Sequence, residues 1–238
     1  MWLINSSIGR KVVMSVTGIA LILFLTFHCC MNIVALFSGE AYNMICELLG
    51  ANWYAVVATL GLAALAVIHI VYAFILTAQN RTARGNSRYD VATTVNAGKV
   101  EWASKNMLVL GIIICLGLLL HLFNFWYNMM FAEIMGFSAG HLPSDGFAFI
   151  IDTFQNPVFV VLYIVWFAAL WFHLTHGFWS ALQTLGLSGK TWFCRWKIIG
   201  LIYVTLLMIC FLVVVLAFAF GCAPSLCDGA CCGGGSCC

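Results

Sequence analysis

Residues 171–183 read W-F-H-L-T-H-G-F-W-S-A-L-Q and set two histidines, His173 and His176, deep inside an apolar run. Three other apolar runs each carry one histidine at a comparable depth: His28, His69 and His121. An ionisable side chain within hydrocarbon is costly and marks a functional site by default. The neutral imidazole is also the commonest protein metal ligand. Four buried histidines, one per apolar run, are therefore read as two pairs of axial ligands for two haems. The rival reading is a proton relay in a transporter. A relay calls for buried acidic or lysine side chains, and no apolar run has one at mid-span.

The elements that hold these residues follow from composition. The chain has 238 residues, 64% hydrophobic and 8% charged, against about 25% charged in soluble domains. Such a chain cannot hide its apolar surface in its own core, so its solvent is lipid. The apolar runs cover residues 12–37, 53–78, 107–131, 157–182 and 197–220. Each exceeds the roughly 20 residues that cross a bilayer core. They are too long for strands and lack period-2 alternation. The expected fold is an all-α integral membrane protein, a five-helix bundle over residues 1–220. A Cys/Gly-rich flexible tail follows at 221–238. No cleavage signal follows the first run, which is therefore expected to be a resident helix. The net charge of +2 gives no reason to expect a nucleic-acid partner.

The basic residues Arg10, Lys11, Arg81, Arg84, Arg88, Lys99, Lys105, Lys190, Arg195 and Lys197 all fall on one side of the five crossings. The opposite side carries Glu40, Glu47, Glu133, Asp145, Asp152 and Asp228, with no basic residue. The positive-inside rule puts the N-terminus in the cytoplasm and the tail outside. His28 and His121 then lie in the outer half of their outward-running helices. His69 and His173 lie in the inner half of inward-running ones. The expected pairs are His28 with His121 and His69 with His173. At 1.5 Å rise per residue, the tiers are separated by roughly 10–15 Å.

His176 is one helical turn from His173 and could ligate in its place, although depth favours His173. His176 could instead contact a propionate or a quinone carbonyl. Gly18, Gly117 and Gly177 flank the histidines and offer close approach to a macrocycle, though small residues also serve ordinary helix packing. His141 reads as a surface residue. Of the twelve cysteines, six are scattered in or near apolar runs as small core residues. Six crowd into residues 222–238, with no standard zinc spacing, and read as a partly oxidised tail. No C-x-x-C-H occurs, which excludes covalent haem attachment.

With these residues in place, the chain resembles the two-haem cytochrome b membrane anchor of succinate dehydrogenase and fumarate reductase. The resemblance rests on S-S-I-G-R-K-V-V-M-S-V-T-G-I-A-L-I-L-F-L-T-F-H at residues 6–28 and F-H-L-T-H-G-F-W-S-A-L-Q-T-L-G-L at 172–187. It implies a subunit of the bacterial cytoplasmic membrane that anchors a flavoprotein and an iron–sulfur subunit on the cytoplasmic side. It implies electron passage through two b haems to a quinone, usually menaquinone, and allows a dimer of the whole complex. It places Ser15 at a haem propionate and leaves His176 a non-ligand. Some members have a glutamate two residues before the fourth ligand, where this chain has Trp171, so that proton route is in doubt. An acidic quinone-site residue is carried over to Glu47, with Glu40 second. Haem b subunits of other quinone-linked reductases and dehydrogenases are the alternative; they lack the segment at 6–28.

Overall fold

The computed structural model describes residues 6–84, 102–138 and 140–227, and every regular element among them is helical. Five helices are long and apolar enough to cross a membrane. They are α1 (Ser7–Phe37), α3 (Trp53–Arg84), a third span built on α4 (Trp102–His121), α7 (Pro157–Thr184) and α8 (Lys190–Ala219). Their ends follow ordinary capping chemistry. Ser6 accepts a hydrogen bond from the Gly9 amide at 2.9 Å, and Asn156 accepts from Val158 at 3.0 Å with Pro157 in the first turn. Each satisfies an amide that the helix itself leaves open.

Several boundaries differ from the sequence reading. All five spans extend past the apolar runs at one end or both, the fourth by two residues only. The segments expected as loops at 38–52 and 132–156 contain α2 (Gly39–Leu48) and α6 (Gly146–Gln155). Both have ten residues, too short to read as spans, and the first also carries Glu40, Asn43 and Glu47, so a search for long apolar runs passes over them. Their start signals are Ser38, which accepts from Ala41 at 3.1 Å, and Asp145, which accepts from Ala148 at 3.2 Å. Asn43 ties the two together: Nδ2 donates to Asp145 Oδ1 at 2.7 Å, and Oδ1 accepts from the Phe147 amide at 2.9 Å.

The third span changes pitch. A π-helical stretch, Leu122–Phe131, begins immediately after His121 and runs into the short α5 (Ala132–Met135). Phe123, Tyr127 and Phe131 stack successively along it, with ring centroids 5.7 and 5.4 Å apart. Wide turns of this kind are rare and concentrate at functional sites.

The core lies where α1, α7 and α8 meet, with Ile22 and Cys29 against Tyr163, Phe167 and Leu170 and against Val204, Leu207 and Phe211. The third span packs on α7, and α3 packs on α1. Among the described residues, α3 buries only Ala55, while Val57, Leu60, Val67, Val71 and Phe74 are exposed. An apolar face of that length needs lipid against it. The protein is a multi-pass membrane protein.

Packing does not stop at residue 220. The short α9 (Pro224–Cys227) docks on the end of α1, where Ser225 Oγ donates to the Ala35 carbonyl at 2.6 Å and Ala223 is fully buried. The first residues of the expected tail thus pack against the end of α1. The rest of it, including Asp228, lies outside the described residues, as do Arg88 and Lys99.

Candidate functional site

The bundle brings the four histidines together two by two. The rings of His28 on α1 and His121 on the third span have centroids 5.6 Å apart, inclined at 85°. Those of His69 on α3 and His173 on α7 are 6.5 Å apart, inclined at 68°. All four side chains are half-buried. Two metal–imidazole bonds of about 2.0 Å on opposite sides of one ion put ring centroids about 6 Å apart. Both pairs therefore stand at the separation a shared six-coordinate iron requires. Among the described residues, no group of three or more His, Cys, Asp or Glu side chains is placed to hold a metal ion.

Two helices measure the spacing of the pairs. On α1, Thr17 meets His69, and His28 lies eleven residues further on. On α7, Tyr163 meets His121, and His173 lies ten residues further on. At about 1.5 Å per residue both give a separation of about 15 Å.

The rings are oriented by neighbours that sequence reasoning did not single out. Thr17 Oγ1 lies 3.0 Å from His69 Nδ1. The adjacent Gly18 leaves the ring room: a Cβ there would stand 3.2 Å from His69 Cε1. This glycine thus serves the pair on the neighbouring helix and not its own His28. Tyr163 OH lies 3.4 Å from His121 Nδ1, and Asn124, buried in the π-helical stretch, packs by it. Asn32 Nδ2 is 3.3 Å from His28 Nε2 and donates to the His28 carbonyl at 2.7 Å. Tyr42 OH on α2 donates to Asn32 Oδ1 at 3.3 Å. Burial pushes the Tyr42 phenol above its ordinary range and the neighbouring Cys46 thiol up to about 11. His173 Nδ1 is buried without a hydrogen-bond partner. The signal for the missed residues was present: each is a polar side chain inside or beside an apolar run.

The other candidates sort as follows. His176 sets its ring edge-on to Trp179 at 4.9 Å, while the ring facing His69 is that of His173. Ser15 is buried one turn before Gly18, on the part of α1 that meets His69. Glu47 and Glu40 are exposed and line an open groove of about 420 Å³ with Asn43, Leu142 and Asp145. Trp171 Nε1 donates to Thr205 Oγ1 at 2.9 Å and joins α7 to α8. His141 pairs with Asp152 at 2.7 Å on the surface. Gly117 does not open space for a ligand here: the Trp166 indole lies where its Cβ would be. Around Gly177, one turn past His173, there is open space instead.

Comparison of the chain with protein-family models, curated proteins and solved structures returns no match.

Proposed function

We propose that the chain is the membrane anchor and electron conduit of a succinate:quinone or quinol:fumarate oxidoreductase, holding one b haem at each histidine pair. The observation that carries the electron-conduit reading is the pairing itself: four histidines from four spans converge as two couples at the spacing of a shared iron. The succinate or fumarate partner rests on the sequence motifs at residues 6–28 and 172–187.

A haem bound at each pair supplies a one-electron carrier. The chain's residues fix how it is held. His28 and His121 would hold one haem and His69 and His173 the other; held by two imidazoles each, such groups would serve electron transfer and not O₂ binding. Thr17 holds the tautomer of His69 with Nδ1 protonated, which leaves Nε2 for a metal. Ser15 offers a hydroxyl to a propionate. The groove at Glu47 and Glu40 offers carboxylates to a quinone such as menaquinone. The basic helix ends, with Arg10, Arg81, Lys105, Lys190, Arg195 and Lys197, face the cytoplasm of a bacterial cell in this reading. There they suit docking of an iron–sulfur subunit and its flavoprotein partner.

The test is a dithionite-reduced minus oxidised visible spectrum of the purified protein, with haem quantified per chain. Two b haems per chain support the reading, and an intact colourless protein removes it. Co-purification of a flavin-bearing subunit separates this complex from other haem b quinone reductases.

A further inference from the structure

The two pairs are not held alike. At His69, it is Nδ1 that the neighbouring hydroxyl engages. At His28, it is Nε2 that is engaged, by Asn32 Nδ2. The Asn32 amide cannot be turned round, because the same Nδ2 faces the His28 carbonyl, which only accepts, and Oδ1 faces the Tyr42 hydroxyl, which donates. An amide NH₂ can only donate. His28 Nε2 is therefore the unprotonated nitrogen, and its lone pair already has a partner. A lone pair that accepts a hydrogen bond is not available to a metal at the same time.

We propose that Asn32, held by Tyr42, competes for the metal-binding lone pair of His28 and makes the His28–His121 pair the more weakly loaded of the two. The inference rests on the two-haem reading. Loading this pair requires Asn32 Nδ2 to withdraw from Nε2, whereas loading the other requires nothing of Thr17. Tyr42 acts one step removed: its hydroxyl holds the amide in the competing orientation. Asn32 and Tyr42 are positioning residues, and one net hydrogen bond corresponds to roughly a fivefold change in affinity.

Haem-free full-length protein in detergent micelles is titrated with hemin and followed at the Soret band. His69→Ala leaves only the His28–His121 pair; His121→Ala leaves only the other. The expected result is hemin binding about fivefold weaker in His69→Ala than in His121→Ala. Adding Asn32→Leu to His69→Ala tightens binding about fivefold, and adding Tyr42→Phe tightens it about twofold. Tyr42→Phe removes one oxygen only and decides the matter if Asn32→Leu does not fold. Equal affinities in the two single-pair proteins overturn the proposal while leaving the haem reading intact. So does hemin binding that neither Asn32→Leu nor Tyr42→Phe tightens. Failure of the unsubstituted chain to bind hemin at all overturns the haem reading, and this proposal with it.

Discussion

Thr17 Oγ1 on α1 and His69 Nδ1 on α3 lie 3.0 Å apart, and the rest of the threonine's bonding gives that contact its direction. The single hydroxyl proton faces the carbonyls of Val13 and Met14, at 2.9 and 3.1 Å. The oxygen lone pairs then receive the ring N–H, which makes Nε2 the nitrogen that carries the lone pair. Partners of this kind orient metal-binding histidines, and losing one typically costs about 10–100-fold in metal affinity.

Thr17→Val keeps the shape and removes the hydroxyl acceptor, so the His69 ring is left with the Met14 carbonyl alone to orient it. Hemin affinity of the His69–His173 pair is expected to fall about tenfold. Thr17→Ser, which restores the oxygen, should recover most of the loss. The measurement is a hemin titration of each variant in a His121→Ala background. A Thr17→Val protein that binds as tightly as its parent would show that the contact does not orient the ring.

Two glycines that look equivalent in sequence should behave oppositely. Gly117 is packed under the Trp166 indole, whose Nε1 is held at 3.1 Å by the Ile114 carbonyl and cannot simply swing away. Gly117→Ala overpacks that contact and should destabilise the protein by about 1–3 kcal/mol. Gly177→Ala meets open space and should leave haem-free stability unchanged or higher, since alanine is the better helix former. Thermal unfolding of the two variants in one detergent compares them directly.

This contrast shows where the sequence was informative. Charge asymmetry and long apolar runs give the five spans, because both follow from solvation by lipid. Histidine depth gives the pairing, because helix rise is nearly constant. What was not legible depends on side-chain contacts between distant segments. Gly18 lies near His28 in sequence yet makes room for His69; Gly117 lies near His121 yet makes room for Trp166. Asn32 and Tyr42 read as a span residue and a loop residue, and only the docking of α2 joins them. The π-helical stretch after His121 has no hydropathy signature, since widening the turn leaves the composition unchanged.

Cys46 gives a prediction in pH. Burial opposes formation of its thiolate and pushes it up to about 11, compared with about 8.5 for a free thiol. The thiolate is the reactive form. In a variant with Cys46 as the sole cysteine, alkylation by iodoacetamide should be slow at pH 8 and still be accelerating between pH 9 and 10.5. Over that interval a free thiol levels off. A plateau reached by about pH 10 would show that the thiol under Tyr42 is reached by water.

The last prediction concerns the two potentials, and follows from charge. The described basic residues Arg10, Lys11, Arg81, Lys105, Lys190, Arg195 and Lys197 sit at the helix ends nearer the His69–His173 pair. Glu40, Glu47, Glu133, Asp145 and Asp152 sit at the opposite end, nearer His28 and His121. Reduction adds an electron, so nearby positive charge favours the reduced state and nearby negative charge opposes it. A unit charge about 15 Å away contributes about 1 kcal/mol at an effective dielectric of 20. Several charges of one sign therefore separate the pairs measurably, even with exposed side chains partly screened. The haem at His69–His173 should have the higher midpoint potential. In redox titrations followed optically, His28→Ala should remove the lower-potential component and His69→Ala the higher. Raising the ionic strength should narrow the gap between them. If His28→Ala instead removes the higher-potential component, charge at the helix ends does not order the potentials, and the contacts of Tyr163 and Thr17 with the histidine rings become the terms that do.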